Sequence, residues 1–218
     1  MSQLMPLPTP MRRMASIALA PVVLALGLGG CVSLLPKDKP VQLYRIAASA
    51  AAPAAPVRAG LLVTRGGTAF TPEAAGDRLL TVTGQEAAYI ADARWFEPAS
   101  LMFEAALTSA FEAPGSPRLA GRGEGVAGAP VTLRLEVRRF QADYDHGQGA
   151  APTVEVTVHA SLVRNADRTL VADTLIEARQ PADDNRVTAI VAAYNAAVAQ
   201  ATGQVRDWTA ANASRVAP

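Results

Sequence analysis

The chain has 218 residues and a mass of 22.6 kDa, with 20 basic against 19 acidic side chains and a formal net charge of +1. That length suits one domain of ~100–200 residues plus an extra segment, and the charge balance gives no overall attraction to nucleic acid. A single cysteine excludes an intramolecular disulfide and any Cys-based zinc spacing. Half of the residues are apolar, yet 46 are alanine and only 11 are aromatic, so the core is expected to use small side chains with few large anchors.

The first element is a targeting segment. Arg12 and Arg13 form a positive patch, and Ala15 through Leu28 follow as 14 residues without charge. Such a run is too short to span a ~30 Å hydrocarbon core, and its charged start and small-residue end fit a secretory signal. Residues 1–10 carry three prolines and no charge, so a start at Met11 would give a compact signal of 20 residues. Leu28-Gly29-Gly30-Cys31 resembles a bacterial lipobox, in which the cysteine thiol receives a diacylglyceryl group and becomes the new N-terminus. This implies a signal peptide over 1–30 and lipid attachment at Cys31. Two or more acyl chains hold a protein stably on a membrane without spanning it. By the same likeness, valine at position 32 points to the outer membrane. Residues 31–40 then form a lipidated tether, whose nine residues after the cysteine reach at most ~30 Å. Loss of Arg12 and Arg13 moves the formal charge of the mature chain to −1.

Residues 41–213 read as one α+β domain, an antiparallel sheet with two packed helices. Alternation predicts a first strand over Val41–Ile46, and the alanine- and proline-rich stretch 47–60 reads as a loop. Leu61–Thr64 and Arg78–Val82 are short strand candidates. Glu97-Pro98 opens a helix, with proline placed at its first position. Phe103, Leu107, Ala110 and Phe111 fall on one face of that helix, and Pro114-Gly115 end it. The glycine- and proline-rich residues 114–130 form a connection. Val131, Leu133, Leu135 and Val137 alternate, and the phase flips after Arg139 to Phe140, Ala142 and Tyr144, which predicts a β-bulge. Val154 to Leu162 alternate against Glu155, Thr157, His159 and Ser161. Gly147-Gln148-Gly149 in the connection predicts an antiparallel pair. A third strand covers Leu170–Ala178. A long amphipathic helix starts near Asp183 and Asp184, placed to cap it, and runs through Val187, Ile190, Val191, Tyr194, Val198, Ala201, Val205 and Trp208.

Chemical constellations are sparse. Asp143-Tyr144-Asp145-His146 puts two carboxylates and an imidazole in a turn, which reads as solvated. His159 lies on the polar face of its strand. No G-x-S-x-G elbow or Walker A loop occurs, and Gly121-Arg122-Gly123-Glu124-Gly125 lacks the lysine and hydroxyl of a phosphate cradle. No catalytic residue, metal ligand or cofactor is assigned. The dense motif is Arg94-Trp95-Phe96-Glu97-Pro98, in which the tryptophan is either a core plug or an anchor at a binding surface.

The order of these features resembles the ABC-type transport auxiliary lipoproteins, the PqiC-like family. The likeness rests on the lipobox ending in Cys31, the Tyr44-Arg45-Ile46 strand, Tyr89, and Arg94-Trp95-Phe96-Glu97-Pro98 ahead of an apolar helix. It implies a non-catalytic lipoprotein held at the periplasmic face of the outer membrane by its lipid anchor. Such a subunit docks to a periplasmic MCE-domain protein of an intermembrane lipid transport system with an ABC transporter permease and ATPase. It also implies a homo-oligomeric ring and a partner interface involving Tyr44, Arg94, Trp95, Glu97 and Pro98. Two alternatives share parts of this reading. One is an assembly factor or plug for an outer-membrane barrel of the lipopolysaccharide-export type. The other is a secreted hydrolase using His146 with Asp143 or Asp145.

Overall fold

The computed structural model describes residues 40–47, 61–120 and 128–216. The signal peptide, Cys31, most of the tether, and residues 48–60 and 121–127 lie outside the described residues. Eleven elements are formed, in the order β1 (Gln42–Tyr44), β2 (Leu62–Phe70), α1 (Pro72–Ala75), β3 (Arg78–Thr83), β4 (Glu86–Trp95), α2 (Ala99–Phe111), β5 (Arg118–Ala120), β6 (Val131–Asp143), β7 (Thr153–Arg164), β8 (Leu170–Pro181) and α3 (Val187–Ala213).

The class is α+β, and the eight strands form one sheet. The sheet is mixed, which corrects the expectation of an antiparallel one. β6–β7, β7–β8 and β3–β4 are antiparallel pairs, whereas β1–β4, β2–β5, β2–β6 and β3–β6 are parallel. β6 organises the sheet. One of its edges carries β7 along nearly its whole length. Its other edge is shared: Val131–Val137 pair with β2, and Ala142–Asp143 pair with β3. The sheet therefore forks there, with β2–β5 on one arm and β3–β4–β1 on the other. The one-turn helix α1 links the two arms.

Strict alternation explains why β6 and β7 are the clearest strands in the sequence. Val131, Leu133, Leu135 and Val137 are buried, the register shifts between Val137 and Arg139, and burial resumes at Phe140 and Ala142. That shift is the bulge the phase flip predicts. Val154, Val156, Val158, Ala160 and Leu162 are buried on the same side of β7. α2 and α3 cover this apolar face, as a sheet with one apolar side requires. Within α2, Phe103, Leu107, Ala110 and Phe111 are all buried, and α3 buries Ile190, Val191, Tyr194, Val198, Ala201 and Val205.

The large anchors are concentrated. Phe70, Trp95, Phe103, Phe140 and Tyr194 make five ring contacts with centroids 5.1–6.3 Å apart, and so tie β2, β4, α2, β6 and α3 together. Such edge-on and tilted pairs add about 0.5–1.5 kcal/mol each beyond the area they bury. The buried Tyr194 hydroxyl donates to the Leu80 carbonyl at 3.1 Å, so the ring carries no orphaned donor. Burial pushes its pKa well above the ordinary tyrosine value. Arg65 of β2 donates to the Glu104 carbonyl and the Thr108 hydroxyl, both at 3.0 Å, which fastens β2 to α2.

Several boundaries differ from the sequence reading. The first strand is limited to Gln42–Tyr44, because only these residues pair with β4. β2 continues past Thr64 to Phe70 through a register shift between Arg65 and Thr68. Gly66 lies in that shift, where an added Cβ would come within 2.6 Å of the Leu133 carbonyl oxygen. β4 occupies a stretch for which periodicity assigns no element. Its pattern is mostly exposed, and Asp92 has φ 56°, inside an irregularity where the β3–β4 register slips. Pro98 is the residue before α2 and not its first position, with extended ψ of 133°. The Arg94-Trp95 pair accordingly closes a strand. α3 begins at Val187, and Arg186, not an aspartate, is its N-cap. Asp184 serves the approach instead. Its Oδ1 accepts the Arg186 backbone N–H at 2.8 Å, and its Oδ2 pairs with the Arg186 guanidinium. β8 extends to Pro181, three residues beyond the expected end.

Candidate functional site

Two regions collect the residues that could carry function: the open face of β6–β8, and the edge where β1 meets β4.

On the helix-free face of β6–β8, register sets mostly polar side chains in rows, with Leu175 the apolar exception. Gln141, Glu155 and Arg179 lie side by side, as do Arg139, Thr157 and Glu177, and Glu136, His159 and Leu175. Alternation alone places Glu155 at the surface, but its side chain is only 3% exposed. Arg139 donates to its Oε1 at 2.8 Å, and Arg179 donates to its Oε2 at 3.3 Å. Both arginines are about half exposed and lie over the carboxylate. The Thr157 hydroxyl adds a third donor at 2.9 Å. Burial pushes the Glu155 pKa up. The hydrogen bonds from Arg139 and Thr157, with the Arg139 charge, outweigh that and hold the carboxyl below its ordinary range. Asp143 goes the other way. Its burial, assisted by contact with Glu155, raises its pKa, although Gln141 donates to it at 2.6 Å.

These contacts decide what the Asp143–His146 turn can do. Asp145 accepts from Arg179 at 3.2 Å, and Asp143 is buried beside Gln141 and Glu155. His146 is exposed in the turn. Asp145 thus ties the turn to β8 through Arg179, whereas Asp143 is buried against Glu155 with Gln141 of its own strand as its donor. His159 lies half-buried between Asp173, 3.3 Å away, and Glu136, 3.7 Å away. No group of three or more metal-ligating side chains occurs among the described residues. No helix among them is long and apolar enough to cross a membrane.

At the other region, parallel pairing places Leu43 against Arg94 and Tyr44 against Trp95. Trp95 is 2% exposed and meets Tyr194 edge-on at 5.1 Å, so its ring is a core plug. Its neighbours in the motif turn outward. Arg94 is half exposed and pairs with Asp77 at 2.9 Å, and Phe96, Glu97 and Pro98 are exposed. Tyr44 is half-buried, and its hydroxyl donates to Gln42 at 2.6 Å. The Tyr89 hydroxyl donates to the Glu73 carbonyl at 3.1 Å. An open groove of about 320 Å³ lies beside the motif, lined by Arg45, Ile46, Glu97, Met102, Ala105 and Ala106. That is at the small end of the ~300–1,000 Å³ range of ligand pockets. The sequence reading missed Arg45 and Phe96 as a pair: the Arg45 guanidinium lies over the Phe96 ring, 4.6 Å from its centroid. No sequence signal marked the pair, because only the pairing of β1 with β4 brings the two residues together.

Comparison with known proteins adds three findings. A family described as the ABC-type transport auxiliary lipoprotein component matches residues 47–206. A Xanthomonas campestris protein of the DUF330 family model has a crystal structure that superposes with a TM-score of 0.70 at 22% identity, covering 80% of this chain and 98% of its own. The crystal structure of an uncharacterised protein superposes with a TM-score of 0.59 at 16% identity, covering 77% and 97%. Both likenesses concern the fold. No curated protein sequence matches the chain.

Proposed function

The chain belongs to the ABC-type transport auxiliary lipoprotein family, and from that premise we propose that it is a non-catalytic, lipid-anchored subunit of an intermembrane lipid transport system. In this reading Cys31 carries the lipid and holds the domain at the periplasmic face of the outer membrane. The domain docks to a periplasmic MCE-domain protein, whose assembly works with an inner-membrane permease and ATPase. The family match across residues 47–206 carries the reading.

Other observations support it. The sole cysteine follows a charged start, a 14-residue uncharged run and Gly29-Gly30. Of the carboxylates that the hydrolase alternative would use with His146, Asp145 accepts from Arg179 and Asp143 accepts from Gln141, which favours structural roles for both. Trp95 braces the domain from within, so docking falls to exposed side chains. A closed ring of identical subunits needs a heterologous interface between two different patches.

The test is crosslinking of the full chain in intact cells, followed by identification of the captured protein. Capture of an MCE-domain protein is expected, and capture of an outer-membrane barrel instead refutes the docking partner. In parallel, Cys31→Ser is expected to move the protein from the membrane fraction to the soluble periplasm. Mass spectrometry of the native protein should find a diacylglyceryl thioether on Cys31. An unmodified thiol on a soluble species refutes the anchor.

A further inference from the structure

Three apolar side chains stand at the surface where β1 borders β4. Val41, Leu43 and Phe96 are 47%, 58% and 52% exposed. Val41 and Arg45 stand two residues to either side of Leu43, the middle residue of β1. Register places Leu43 beside Arg94, and Arg45 lies over Phe96. Arg94 is in turn opposite Arg78 of β3, whose guanidinium stacks on Tyr89 at 3.9 Å. Three arginines therefore rim the apolar trio. Asp77 accepts from Arg94, Glu97 shares the groove with Arg45, and Asp92 is exposed two residues before Arg94, so the three acidic groups balance the three arginines. Exposed apolar side chains bordered by arginines, two of whose guanidinium groups stack on aromatic rings, fit a membrane interface. There the rings and aliphatic groups enter the headgroup boundary while the guanidinium groups reach phosphate.

The position of the patch names its occupant. β1 is the first described strand, and Val41 follows Cys31 by ten residues, a reach of at most ~36 Å. A patch held that close to a bilayer meets it at high effective concentration, so a weak contact suffices. Resting on the reading that Cys31 is lipidated, we infer that the β1–β4 edge is the face the domain lays on a phospholipid surface. Val41, Leu43 and Phe96 insert, and Arg45, Arg94 and Arg78 meet the phosphates. β8 closes the opposite end of the sheet and points away from the membrane.

The test uses the full lipidated chain, in which acylation leaves an introduced cysteine as the only free thiol. Leu43→Cys and, as control, Leu175→Cys on β8 are each labelled with an environment-sensitive fluorophore. The proteins are then reconstituted into phosphatidylethanolamine–phosphatidylglycerol vesicles containing bromine-labelled acyl chains. Leu175 is 48% exposed, so the control begins from similar accessibility. Several-fold stronger quenching at position 43 than at 175, reduced by Arg45→Glu, is the expected result. Equal quenching at both positions in a protein that floats with the vesicles overturns the inference while leaving the anchor intact. A label at 43 that is shielded but not quenched by lipid reports cover by protein, from this chain, a second copy or a partner, and also overturns it. A protein that fails to float removes the anchor, and the inference falls with it.

Discussion

Replacing Trp95 with alanine separates a structural role for the Arg-Trp motif from a recognition role. The indole is 2% exposed and packs against Tyr194 and Phe140, with ring centroids 5.1 and 6.3 Å away. An aromatic side chain of this class buries about 150–250 Å², which at ~25 cal/mol per Å² corresponds to roughly 4–6 kcal/mol. Alanine recovers part of that area, and measured tryptophan-to-alanine changes in cores cost about 3–5 kcal/mol. For a domain of this size each kcal/mol lowers Tm by about 2–4 °C, so a fall of about 6–20 °C is expected. The adjacent Arg94→Ala is the internal control. Its ion pair with Asp77 joins two half-exposed groups and is worth less than about 1 kcal/mol. Thermal unfolding of the mature chain followed by far-ultraviolet circular dichroism reads both variants, and partner capture is measured beside it. A Trp95→Ala protein that keeps its Tm within about 2 °C while losing partner capture would refute the packing argument.

Glycine requirements in β2 give a second comparison. Gly66→Ala should destabilise by several kcal/mol, because the new Cβ meets the Leu133 carbonyl oxygen at 2.6 Å. Gly67→Ala, with nothing within 4 Å, should be nearly neutral, and urea midpoints of the two variants check this. The carboxylate network gives a third prediction. Glu155 has its pKa lowered in the fold, so its contribution is present above the unfolded carboxylate value and is lost as pH falls through the folded one. Glu155→Gln should therefore cost about 1–3 kcal/mol at neutral pH, and the difference should shrink towards pH 3. Asp143, with its pKa raised, behaves oppositely. Its favourable contribution is complete below its unfolded value and is lost as pH rises through the folded one, so Asp143→Asn should be stabilising at pH 7 and neutral at pH 3. A Glu155→Gln deficit that is constant across this range would sink the linkage argument.

The legible parts of the fold share one property: a half-buried element with an unbroken period. β6, β7 and α3 each show it, and even the bulge after Val137 was readable as a phase change. β4 lacked it because six of its first eight residues, Glu86–Ala93, are alanines or acidic side chains, at mostly exposed positions, and one residue has positive φ. The mixed sheet was illegible for a different reason. Alternation fixes which face a residue takes, but not which strand it pairs with, and β2 and β3 reach β6 across long connections. Glu155 illustrates the limit for sites. Its own strand places it on the polar face, and only Arg139 and Arg179, 16 and 24 residues away, bury it. The burial of Trp95 was equally undetermined, since its cover comes from Tyr194 at the far end of the chain.

The fork in the sheet has a consequence for the order in which the molecule comes together. β2 and β3 both depend on a single later strand for their inner edge, and that strand begins at Val131. β3 and β4 can pair as a hairpin, and β1 and β5 can add to β4 and β2, but neither arm can join the other before β6 has been made. Local hairpins can form early, but the long loop closures that join the two arms come last and set the pace. The two arms therefore reach their final arrangement only once Val131–Asp143 is in place.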